Sequence, residues 1–104
     1  MGCELFHFNF PTIAIPDDEF HLLEQCYKIE EEAHEITDAF ADDTIPIGMK
    51  HLAIIEEALD CIQACETLLN YYVMNDIQSL NTVDYMHQVV IAKNSERGYY
   101  DDCQ

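Results

Sequence analysis

Two pairs of acids stand at helical spacing in this chain. Glu32 and Glu35 lie in "KIEEEAHEITDAF" (28–40), and Glu57 and Asp60 in "EEALDCIQACETLL" (56–69). Both stretches read as helices, so each pair shares one side of a helix. Like charges at that spacing repel by roughly 0.2–0.5 kcal/mol when exposed, and by more when buried. On a helical wheel Glu32 borders the apolar side of its helix, with Glu35 next to it and Glu31 one step further out. Glu57 lies inside the apolar sector, lined up with Ala53, Cys61, Ala64 and Leu68. An unpaired carboxylate there costs several kcal/mol or stays protonated. If the two helices are antiparallel neighbours, Glu32 and Glu35 meet Glu57 and Asp60. Carboxylates converging at one depth of a bundle require a divalent cation, and oxygen-only ligands point to Mg²⁺, with Mn²⁺ as the alternative. For Glu30, Glu31, Glu56 and the run Asp17–Glu19 the wheel favours a solvated charged face instead.

These acids need elements to hold them. Pro16 followed by Asp17, Asp18 and Glu19 marks a helix start, because acids favour the positive end of the helix dipole. From there Leu22, Cys26, Ile29, Ala33, Ile36 and Phe40 form a narrow apolar stripe, which predicts a first helix over 17–42 stopped by Pro46. A second helix is predicted over 47–74 and carries two apolar rows. One is Leu52, Ile55, Leu59, Ile62, Leu69 and Val73; the other is Ile54, Ala58, Cys61, Cys65, Leu68 and Tyr72. A helix apolar over so much of its girth is expected to be central and largely buried. Asn81, with Asp84 three residues on, resembles a capping pair for a third helix over 82–97, with Val83, Met86 and Val90 inward and Gly98 as its stop. Residues 1–15, where Phe6, Phe8 and Phe10 alternate with polar residues, predict an extended arm packed on the body or on a partner chain. The expectation is a single all-α domain over 1–104. Three such helices do not enclose the second one, so a second copy is expected to complete the bundle, as a homodimer or homotetramer.

The net charge of −17 argues against a nucleic-acid surface and against an anionic membrane surface. No apolar run approaches the roughly 20 residues that span a bilayer. The five cysteines, Cys3, Cys26, Cys61, Cys65 and Cys103, include no CxxC. With no basic region or long apolar run at the N-terminus, they predict reduced thiols in a cytoplasmic protein. Cys61 and Cys65 are expected to be small core residues. The cations are only four: Lys28, Lys50, Lys93 and Arg97. Lys93 and Arg97 stand one helical turn apart and make a positive face suited to a polyphosphate; the alternative is pairing with Glu96 or Asp101.

"EEAHE" (31–35) followed after 21 residues by "EALD" (57–60) resembles the EExxE…ExxD signature of the MazG-like nucleotide pyrophosphohydrolases, in the all-α NTP pyrophosphatase group. "KNSERGYY" (93–100) resembles the KNxxRGY ending of small, phage-type members. The resemblance spans about residues 25–100 of the chain. It implies Mg²⁺-dependent hydrolysis of a nucleoside triphosphate to the monophosphate and pyrophosphate. By position it implies Glu32, Glu35, Glu57 and Asp60 as metal ligands and Glu31 as the group that orients or deprotonates the attacking water. Lys93, Asn94 and Arg97 would contact phosphates. Tyr99 and Tyr100 would stack on a base or cover the end of the bundle. Lys28 would be a second phosphate contact or a partner for Glu32 or Glu24. The other histidines, His7, His21, His51 and His87, are scattered, and none pairs with cysteine at zinc-finger spacing.

Two other readings compete. A di-iron carboxylate bundle needs Glu-x-x-His on two helices. Glu31 and His34 supply one such pair, but the second helix has no histidine at the matching place. A non-enzymatic acidic helical module, such as a phage protein that mimics nucleic acid by its charge, fits the −17 balance. It does not explain the inward position of Glu57.

Overall fold

The computed structural model describes residues 8–100. Three helices make up its regular structure: α1 over Glu19–Ala41, α2 over Ile47–Met74 and α3 over Leu80–Glu96, with no strand among the described residues. The all-α expectation holds. Residues 1–7 and 101–104, including Phe6, Cys3, Cys103 and Asp101, lie outside the described span.

Each helix end has a local cause. Asp18 caps α1, its carboxylate accepting from the His21 backbone N–H at 2.8 Å and standing 2.7 Å from His21 Nδ1. The helix closes at Ala41, before Pro46 is reached, because Asp42 turns its side chain forward to accept from the Thr44 N–H at 2.9 Å. Pro46 instead opens α2, and its carbonyl accepts from Met49 and Lys50. Ser79, not Asn81, caps α3: its hydroxyl accepts from the Thr82 N–H at 3.1 Å. α2 and α3 end in the same six-to-one turn. Ile77 N–H donates to Tyr72 O with Asp76 at φ 56°, and Tyr99 N–H donates to Asn94 O with Gly98 at φ 77°.

α1 and α2 form an antiparallel hairpin, the one substantial helix–helix packing among the described residues. The line of α1 that faces α2 runs Leu22, Gln25, Ile29, Glu32 and Ile36, one position round from the predicted stripe. Cys26, Ala33 and Phe40 stay exposed, and the two polar members, Gln25 and Glu32, are the most buried residues of the helix. The reason lies across the interface. Small Ala64 lets the Gln25 amide reach its backbone carbonyl at 2.9 Å, a satisfied buried bond. The described part of the arm, residues 8–15, packs on the body of its own chain. Pro11 O accepts from Gln63 Nε2 at 3.0 Å and Ile15 O from Asn75 Nδ2 at 3.4 Å, so the arm runs alongside α2 before turning into α1. Tyr71 donates to Asp17 at 3.1 Å and fastens that turn.

Among the described residues the core is slight: Ala64 and Tyr71 are the buried apolar ones, with Gln25, Glu32 and Thr67 also buried. α2 is therefore not enclosed. Its row of Leu52, Ile55, Ile62 and Leu69 faces out, and Leu52 is 66 % exposed. Met86 and Val90, expected inward, are exposed as well, because α3 leaves the hairpin rather than packing along it. Cys65 is exposed and Cys61 half-buried, so neither is a core residue of the single chain. The radius of gyration is 16.5 Å, above the roughly 13 Å of a compact chain this long.

Candidate functional site

The antiparallel register sets Glu32 of α1 opposite Glu57 and Asp60 of α2. One carboxylate oxygen from each of the three lies within 4.8 Å of the others. Glu31, Glu32 and Glu35 form a second such group on α1, so Glu32 belongs to both. Five of the six predicted residues on these two helices thus share one patch, and the sixth, Lys28, borders it with Nζ 3.2 Å from Glu32 Oε1. Of the roles open to Lys28, the one seen is partner to Glu32. That contact raises the Lys28 pKa, chiefly through the hydrogen bond.

Glu57 is the strained member. Its Oε2 is buried and has no hydrogen-bond partner. Its carboxyl stands beside that of Glu35, and a hydrogen bond between the two requires one of them to keep its proton. The pKa of Glu57 is pushed up to about 7, first by that shared hydrogen bond, then by burial and by the charges of Glu35, Asp60 and Glu32. Among the described residues the carboxylates outnumber the cations beside them, Lys28 alone. A buried oxygen without a donor and an all-carboxylate donor set suit a hard divalent cation, which takes oxygen ligands and compensates the mutual repulsion.

The α3 residues are placed differently. Among the described residues no ion pair or hydrogen bond links Lys93, Asn94 or Arg97 to the acids of α1 and α2, nor do Lys93 and Arg97 pair with Glu96. Arg97 lies over the ring of Tyr99, 5.8 Å from its centre. Tyr99 is exposed and Tyr100 half-buried. His34 turns away from the acid patch, with Nδ1 3.2 Å from Asp38 Oδ1, which removes the Glu-x-x-His pair from a di-iron arrangement. The residue that sequence reasoning missed is Gln25, which fixes the helix register beneath the acids. Its signal is the alternating three–four spacing Leu22, Gln25, Ile29, Glu32, Ile36.

Beside the acids, a cleft of about 590 Å³ lies between the arm and α1, lined in part by Ile15, His21, Tyr27, Lys28 and Glu31. It shares Glu31 with the acid patch. Comparison with protein-family models, with curated proteins and with solved structures gives no match. Among the described residues no helix is long and apolar enough to cross a membrane.

Proposed function

We propose that the chain is a MazG-like pyrophosphohydrolase that cleaves a nucleoside triphosphate, ribo- or deoxyribo-, to the monophosphate and pyrophosphate. The observation that carries this reading is the meeting of Glu32, Glu57 and Asp60 across two helices, with Glu57 Oε2 buried and unpartnered. The resemblance of "EEAHE", "EALD" and "KNSERGYY" supplies the reaction class. Glu32, Glu35, Glu57 and Asp60 would hold Mg²⁺, or Mn²⁺. When bound, the cation neutralises polyphosphate charge and acidifies water.

The chain's own residues do the rest. Glu31 is exposed at the edge of the acid group, where it holds a water and takes its proton as the oxygen attacks phosphorus. The bond from the α-phosphorus to the bridging oxygen breaks, and pyrophosphate leaves. Lys28 stands at the mouth and shifts from Glu32 to a phosphate oxygen. Lys93, Asn94 and Arg97 stabilise the leaving pyrophosphate, and Tyr99 offers a stacking face. The exposed apolar rows of α2 and α3 are covered by further copies of the chain, in a homodimer or homotetramer.

The test is a screen of ribo- and deoxyribonucleoside triphosphates with Mg²⁺, read as pyrophosphate release. Glu57→Ala is expected to abolish release while leaving a helical oligomer. Full activity in that variant rejects the assignment. An acidic interaction module fits less well, since a charge mimic needs its acids outside and Glu32 is 8 % exposed.

A further inference from the structure

Glu32 is the member that the two acid groups share, and it is buried. One of its two oxygens is already engaged. Lys28, one turn earlier on α1, holds its ammonium 3.2 Å from Glu32 Oε1. A divalent ion that takes Glu32 as a ligand therefore meets a positive charge on the same carboxylate, and like charges so close repel strongly where water is partly excluded. Among the described residues no other cation pairs with the patch.

The contact gives way easily. Its length is at the upper limit for an N–H···O bond. Lys28 is 55 % exposed on a flexible stem, whereas Glu32 is held by the packing around it. Lys28 also lines the cleft between the arm and α1, together with Glu24 and Glu31. Glu24 stands one turn before Lys28, in the order that helices favour, glutamate first. Lys28 and Glu32 have the reverse order. The lysine takes the less favoured partner because the uncompensated charge is concentrated in the patch. It has two resting places, Glu32 in the patch and Glu24 at the cleft.

We infer that Lys28 is the internal counterion of the acid patch, a positioning residue that occupies Glu32 in the metal-free protein and must turn to Glu24, or to a phosphate, before a divalent ion can use Glu32. It steadies the metal-free acids and weakens their hold on the ion. This rests on the divalent-ion site of the proposed hydrolase and adds what regulates its filling.

The probe is Mn²⁺ alone, titrated into chelator-treated protein, with the free ion measured by electron paramagnetic resonance. Glu57→Ala gives the background of ions held elsewhere on the acidic surface. Lys28→Met keeps the bulk of the side chain and removes its charge, and it is expected to bind Mn²⁺ about three- to tenfold more tightly than the unaltered protein. Lys28→Arg restores a cation and is expected to return the affinity to its original value. Lys50 pairs with Asp43 instead, at 3.9 Å. It lies two turns before Glu57 on α2, about 10 Å along the axis, where salt screens most of its charge. Lys50→Met removes the same net charge and is expected to leave the affinity unchanged. An affinity in Lys28→Met that is equal or weaker overturns the inference, and so does equal tightening in Lys50→Met. A damaged fold only weakens the site, so tightening does not arise from damage.

Thermal melts give the second readout. Lys28→Met is expected to melt lower than the unaltered protein without metal and to gain more from Mn²⁺. A smaller gain overturns the inference. Pyrophosphate release is scored separately. If the unaltered protein hydrolyses no triphosphate while the Mn²⁺ affinities fall in the expected order, the hydrolase reading fails and the counterion stands. If triphosphate is hydrolysed and Lys28→Met binds Mn²⁺ no more tightly, the counterion fails and the hydrolase stands. No Mn²⁺ bound above background in any variant ends both.

Discussion

Glu57 holds a proton near neutral pH because its surroundings disfavour the charge. Glu35 faces it, Asp60 and Glu32 stand near, and one of its oxygens is cut off from water. Its pKa is about 7 in the folded chain against 4.5 for the free side chain. Between those values the folded state keeps a proton that the unfolded state has released, so rising pH removes stability across that window. The metal-free protein is expected to melt lower at about pH 8 than at about pH 5, and Mg²⁺ is expected to raise the melting point at the higher pH. Glu57→Gln isolates this residue from the rest of the acidic surface: it should flatten much of the decline, raise the metal-free melting point at pH 8, and eliminate Mg²⁺-dependent hydrolysis. Thermal melts with and without chelator check the first two, and pyrophosphate release checks the third. Gln25 is a simpler case. Gln25→Ala loses the bond to Ala64 O and leaves a small void, at a cost of about 1–2 kcal/mol, measurable by urea unfolding.

At the scale of elements, the sequence announces more than it places. The second helix runs over the residues its apolar rows mark, and the third stops where Gly98 permits a positive φ. The start of α3 is ambiguous in sequence because Ser79 and Asn81 are both sound caps, and only the backbone decides between them. The rotation of α1 is not legible, since a stripe of apolar residues does not reveal that a buried amide and a buried acid will displace Cys26 and Ala33. The inward setting of Glu57 is legible from its place in line with Ala53, Cys61, Ala64 and Leu68. The departure of α3 from the hairpin is not, because its amphipathic pattern states that a face is covered without stating by whom. The two matching helix ends make a paired prediction. Asp76 occupies the left-handed region with a side chain that disfavours it, so Asp76→Gly should stabilise by about 0.5–1 kcal/mol. Gly98→Ala introduces the same penalty and should destabilise by about 1 kcal/mol. Denaturant midpoints with unchanged slopes would establish both.

At the scale of the whole molecule, few of the described residues are buried within one chain. Exposed Leu52, Ile55, Ile62 and Leu69 lie along one side of α2, and exposed apolar faces of this kind mark contact surfaces. Ile62→Asp places a charge at its middle. It is expected to shift the scattering mass toward the monomer and to lower the melting point, and an unchanged mass would remove the case for association along this row. In the unaltered protein the melting point should rise with protein concentration, as it does when association and folding are one equilibrium.

An interior that, among the described residues, closes on Gln25, Glu32, Ala64, Thr67 and Tyr71 also bears on how such a chain survives after synthesis. If copies associate as proposed, a solitary copy would offer proteases stretches of loosely guarded backbone that an encounter with another copy would shield. Abundance would then govern lifetime: sparse chains would be digested before they meet, while crowded ones would persist. Limited digestion along a dilution series should reveal that threshold as a sharp fall in half-life.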